Sequence, residues 1–180
     1  MRNKELPVIE GQSWLYSLDD AALMLKLVCA LEPPEPEWLP LPAQDTGGGD
    51  ESRFESPMTK AQAAAAIENL QHAAIHIAVL HIGPVLESLC GALNGTVRSA
   101  VDQAIQITRL IRDAYSADPY APVWQMDSTQ ENVSLCVPDV IAVDVTELNG
   151  QRVNMPDYGG PEAILRLLEF TRRFLDEARL

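Results

Sequence analysis

Around Asp118-Pro119 the spacing of apolar residues changes period, and that change constrains the fold more than any other feature of the 180-residue chain. Upstream, apolar side chains recur every three to four residues, the repeat of a helix with one buried stripe. Leu18, Ala22, Leu25 and Cys29, widened by Ala21, Met24, Val28 and Leu31, predict a helix over about 17–31, capped by Ser17 and stopped by Pro33-Pro34. A second helix over about 59–82 starts at a Thr59 cap and closes at Gly83-Pro84. A shorter one follows over about 84–93, broken by Asn94-Gly95. A fourth spans about 96–116, with Val97, Val101, Ala104, Thr108, Ile111 and Tyr115 facing inward and Arg109 paired with Asp113 on the wet side.

Downstream the pattern is that of short strands between turn residues: Val123–Met126, Val133–Val137, Val140–Leu148 and Gln151–Met155. Asn149-Gly150 predicts a tight hairpin, because both central residues of such a turn need positive φ. That register sets Glu147 opposite Arg152 and Thr146 opposite Val153. Gly159-Gly160-Pro161 leads into a closing helix over 161–179 whose inner face carries Ile164, Leu167, Leu168, Thr171 and Leu175. The expected class is α+β, with N-terminal helices packed on a small antiparallel sheet over about 123–155 and a C-terminal helix.

The length fits a single domain over 1–180, with residues 43–57 as a flexible acidic loop inside it. A composition of 47% hydrophobic and 22% charged residues excludes wholesale disorder. No uninterrupted apolar run approaches the roughly 18 residues of a membrane span, and acids precede the first apolar stretch, unlike a signal peptide. Three cysteines in apolar settings without Cys-x-x-Cys spacing read as reduced core thiols. Together these predict a cytoplasmic protein without a membrane partner.

The net charge is −13, and two blocks hold the imbalance. Residues 32–55 carry seven acids against Arg53, and residues 113–147 carry seven acids with no Lys or Arg. Such a chain offers no cationic footprint to a phosphate backbone, so direct nucleic-acid binding is not expected.

The densest set of metal-type side chains is Glu68, His72, His76 and His81 on the second helix. At about 100° per residue, Leu70, Ala74 and Ile77 define an inward face, with Glu68, His72 and His76 opposite and His81 in the core. His72 and His76 at i,i+4, with Glu68 as a third group, would serve a metal-dependent hydrolase; the simpler reading is a solvated polar stripe. Asp139, Asp144 and Glu147 lack the lysine of a hairpin nuclease site. Gly-x-Ser-x-Gly, Gly-x-Gly-x-x-Gly and Gly-Lys-Ser/Thr are all missing, so the sequence assigns no catalytic residue and no cofactor.

What remains is a set of acids interleaved with aromatics: Asp118, Tyr120, Trp124, Asp127, Glu131 and Asp139, with Tyr115 nearby. Rings ringed by charge have the composition of a protein-binding patch. The expected function is therefore a non-catalytic interaction protein with a basic protein partner. An inhibitor, immunity or antitoxin-like role is its concrete form, acting by occluding a cationic surface. A homo-oligomeric assembly component, as a homodimer, is the structural alternative.

Overall fold

The computed structural model describes residues 11–32, 59–90, 95–127 and 133–177. Helices α1 (Gly11–Cys29), α2 (Lys60–Cys90) and α3 (Gly95–Ala117) precede strands β1 (Ser134–Val137) and β2 (Ile141–Asp144). A single 3₁₀ turn (Met155–Tyr158) then leads into α4 (Gly160–Glu177). The α+β class and the closing helix are as the sequence implies. The predicted loop over 43–57 lies outside the described residues, as do positions 91–93 and 178–179 of two predicted helices.

Helix α1 starts a turn and a half before the expected cap. Trp14 and Leu15 already pack against the core, so burial sets the start, and Ser17 lies mid-helix with its hydroxyl bonded back to the Ser13 carbonyl at 3.0 Å. Helix α2 does open at a capping box: Thr59 N–H donates to Gln62 Oε1, and Gln62 N–H donates to Thr59 Oγ1.

The same helix runs through Gly83-Pro84 without a break, where the sequence predicts two helices. A helix-interior proline costs about 3 kcal/mol. Pro84 lies on the exposed face, while Ile82, Val85, Leu86 and Leu89 on either side of it are all buried in one core. Burying those four side chains, at roughly 1.5–3 kcal/mol each, outweighs the break. By length and average hydropathy α2 can cross a bilayer, which no uninterrupted apolar run had suggested; half of that window is buried within the protein.

Helix α2 is the central element, packed against α1, α3 and α4, while the two-stranded sheet lies against α3 with β2 also touching α4. The strands pair antiparallel with Val137 opposite Ile141. Leu135, Val137, Ile141 and Val143 point inward, and Cys136 N–H donates to Gln103 Oε1 of α3 at 2.8 Å, which occupies the outer edge of β1.

The hairpin turn is therefore Pro138-Asp139-Val140, not Asn149-Gly150. Val140 N–H returns to the Val137 carbonyl, proline sits second, and Asp139 takes φ 62°, which short polar side chains tolerate. Asn149-Gly150 does form a turn, closed by Gln151 N–H on the Leu148 carbonyl. The strand leaving it pairs elsewhere: Arg152 bridges Val123, and Trp124 N–H donates to the Gln151 carbonyl. Glu147 and Arg152 are accordingly not the expected ion pair. Arg109 likewise reaches across to Glu87 of α2 at 2.8 Å instead of to Asp113.

Gly159 joins the 3₁₀ turn to α4 at φ 84°, and a Cβ there would sit 3.1 Å from the Ala163 Cβ. Gly159→Ala is expected to lower unfolding free energy by about 1–3 kcal/mol, combining left-handed strain with the tight contact. Urea unfolding followed by circular dichroism checks this, with an unchanged midpoint counting against it.

Candidate functional site

A chain of buried polar groups links α2, α3 and the 3₁₀ turn. His72 is only 3% exposed, and its Nδ1 lies 2.8 Å from the Tyr115 hydroxyl. That hydroxyl lies 3.2 Å from the Tyr158 hydroxyl. All three rings are buried, so each polar atom they carry requires a partner. Next to the chain, Trp124 Nε1–H donates to Asp157 Oδ2 at 2.8 Å, and Asn154 N–H donates to the same oxygen at 2.9 Å. The Trp124 ring meets Tyr158 edge-on, 6.4 Å between centroids.

Burial lowers the His72 pKa from its ordinary 6.5, Glu68 opposing the shift and Arg152 adding to it. Glu68 Oε1 stands 3.8 Å from Nε2. The ring is therefore neutral near pH 7, and we assign its single proton to Nε2, the nitrogen nearer the carboxylate, the other tautomer reversing the bonds that follow. Nδ1 is then the acceptor of the Tyr115 O–H, and Tyr158 donates to Tyr115. Burial pushes the Tyr115 hydroxyl up to about 12 and Tyr158 higher still, so both remain protonated donors. Burial also lowers the His76 pKa.

His72 closes the inner end of an open cavity of about 520 Å³ between α2 and the segment 152–156. Its polar lining is Glu68, Gln71, His72, Arg152 and Asn154; its apolar walls include Ile67, Val153, Met155 and Pro156. Glu68 and His72 of the expected set line this cavity, not a solvated stripe. His72 lies in the core, His76 is half-buried with its ring 6.0 Å from Tyr115, and His81 is half-exposed where it was expected inside. Leu70 and Ile77, whose spacing predicts an inward face, are exposed. No group of three or more His, Cys, Asp or Glu side chains among the described residues is placed to hold a metal. The Glu68/His72/His76 ligand set is thus replaced by a hydrogen-bonded His72.

The acidic set is also rearranged. Trp124 is 0% exposed and Tyr115 is equally buried, so neither serves as a surface anchor, whereas Tyr120 is 56% exposed. Asp118 Oδ1 accepts from the backbone N–H of Tyr120 and Ala121, fixing the turn that presents the Tyr120 ring. Asp127 is exposed on the same loop. Segments 122–126 and 149–153 are laced together by Gly150 N–H to Trp124 O, Val153 N–H to Pro122 O and Met126 N–H to Asn149 Oδ1. This brings exposed Glu147 to the same end of the molecule. Asp139 is remote from it: its hairpin hangs on the Gln103 part of α3, and from there to Ala117 is about 20 Å of helix. Glu131 lies outside the described residues.

Compared with known proteins, the chain matches no family model, no curated protein and no solved structure.

Two outcomes follow from the buried chain. Tyr115→Phe leaves His72 Nδ1 and the Tyr158 hydroxyl without their partner and should cost about 1–3 kcal/mol of stability, read by chemical denaturation. The unfolded chain holds its histidine protons more tightly than the folded one, because folding lowers both His72 and His76. Stability is therefore full above about pH 6.5 and falls as pH drops through that value. His72→Gln should flatten that decline in calorimetry between about pH 7 and 5, His76 supplying the remainder.

Proposed function

We propose that the chain is a non-catalytic interaction protein whose acidic end docks on a basic protein, with an inhibitor, immunity or antitoxin-like role. The observation that carries this reading is a pair of loops joined by backbone hydrogen bonds that carry the exposed Tyr120, Asp118, Asp127 and Glu147. Carboxylates steer a cationic surface into contact, and the aromatic ring supplies area with few rotatable bonds. Occlusion of that cationic surface is the mechanism, so no reacting group is needed. Cys29 and Cys136 are free thiols, exposed where core positions were expected, and they support a reducing, cytoplasmic setting.

The test is affinity capture from the native cell at low salt, comparing the native chain with an Asp118→Lys/Asp127→Lys variant and with Tyr120→Ala. A basic partner should be recovered whose affinity drops at least tenfold in the charge-reversed variant and falls steadily with added salt. A partner held equally by all three proteins, or indifferent to ionic strength, overturns the proposal.

A second reading, self-association, is favoured by the outer face of α1, where Leu23 is 68% and Leu27 62% exposed beside Tyr16. Two bare leucines one helical turn apart are the start of an apolar contact surface. Sedimentation equilibrium decides it. The native chain is expected as a dimer that Leu23→Glu/Leu27→Glu dissociates, and a monomer at about 50 µM ends that reading.

A further inference from the structure

Of three cavities lined by described residues, two contain a close ion pair between lining side chains and the third does not. In the groove between α1 and α4, Arg172 meets Asp19 at 2.7 Å, and beside Cys90 and Asp102, Arg109 meets Glu87 at 2.8 Å. In the cavity beside His72, the Arg152 guanidinium has no ion-pair partner among the described residues. The Glu68 carboxylate in the same cavity stands 3.8 Å from His72 Nε2, too far for either to satisfy the other.

We propose that this cavity binds a small zwitterion of the α-amino acid type, its carboxylate on Arg152 and His72 Nε2–H and its ammonium on Glu68. A donor and an acceptor set side by side at that spacing are complementary to a ligand that carries an acceptor next to a donor. A carboxylate beside an ammonium is such a pair, and the Arg152 cation selects it over a neutral amide, since charge-assisted bonds to guanidinium are the stronger ones. The Tyr115 and Tyr158 hydroxyls hold the imidazole so that its N–H faces the ligand before it arrives. The apolar walls of Ile67, Met155 and Pro156 receive an uncharged side chain.

Net charge makes the same selection. A free anion approaches against a field of −13, and a free amine meets the Arg152 cation at the site. A ligand with no net charge encounters neither opposition. A volume of about 520 Å³ lies within the range of about 300–1,000 Å³ usual for small-molecule sites. The site is independent of the docking surface proposed above.

The experiment titrates each free L-amino acid into the full-length chain and reads backbone amide signals by NMR. The tightest binder is then compared with its α-amide, which lacks the carboxylate, and its N-acetyl form, which lacks the ammonium. Binding of at least one amino acid with an uncharged side chain should move the signals of Gln71, His72, Arg152 and Asn154, and each blocked form should bind at least tenfold more weakly. Arg152→Ala should weaken the amino acid tenfold while leaving the amide unchanged, and Glu68→Gln should do the same relative to the N-acetyl form. Both substitutions are at exposed positions, and the blocked-ligand arm requires neither. Absence of any shift at those four residues at about 10 mM ligand overturns the proposal, as does a blocked form that binds as tightly as its parent.

Discussion

The hydrogen-bonded chain of His72, Tyr115 and Tyr158 is the contact on which the rest of the arrangement depends, because it is the point where α2, α3 and the 3₁₀ turn meet. An apolar contact tolerates sliding, but a buried hydroxyl does not. Displacement of about an ångström strands a polar atom without water, at about 1–3 kcal/mol. Fixing Tyr158 fixes the 3₁₀ turn, and with it Asp157. Asp157 holds Trp124 through its indole N–H, and Trp124 backbone groups hold Gln151 and Gly150. The positions of Arg152, Asn154 and the acidic loops thus descend from one buried histidine.

The second constraint is the central helix. Helix α2 has neighbours on several sides, so its sequence is apolar around most of its circumference and carries no single stripe. That explains why its inward face could not be read from spacing. At about 100° per residue, the buried set Ile75, Ala78, Val79, Ile82 and Leu86 points about 120° away from the direction defined by Leu70, Ala74 and Ile77. Only the partners choose among such faces. The polar exception, His72, entered the core because Tyr115 was there to receive it.

Elsewhere, legibility followed how local the determining interaction is. Helices α3 and α4 each bury one apolar stripe against their neighbours and leave the opposite side to water, and Val101, Ala104, Ile111, Ile164, Leu167 and Leu175 are buried as their spacing implies. Asn149-Gly150 does make its turn, since turn chemistry is local, yet strand pairing is not local, and segment 150–153 chose 122–124 over its neighbour in sequence. Pro138-Asp139 carries an equally local signal between Leu135-x-Val137 and Ile141-x-Val143, and it is the turn that closes the paired strands. Of the candidate site, Glu68 and His72 were visible as residue types. Arg152, Asn154 and the two tyrosines reach them only through contacts between α2, α3 and the 3₁₀ segment, more than forty residues apart for His72 and Tyr115 and again for Tyr115 and Tyr158.

On the two proposals made above, the electrostatic layout divides the work between the two surfaces. Surplus carboxylates on Asp118, Asp127 and Glu147 act through solvent, where attraction fades over about 8 Å at physiological salt, so they suit a broad, salt-sensitive encounter. The Arg152 charge acts beside a buried imidazole and apolar walls, where screening is weaker and geometry matters more. The two are adjacent through the Val123–Arg152 bridge. A basic partner that covered the whole of this end would bring its cations toward Arg152 as well as toward the acids. Like-charge contact there is costly, so the favourable footprint is one centred on Tyr120 that stops short of the cavity, leaving its mouth open while the acidic loops are engaged.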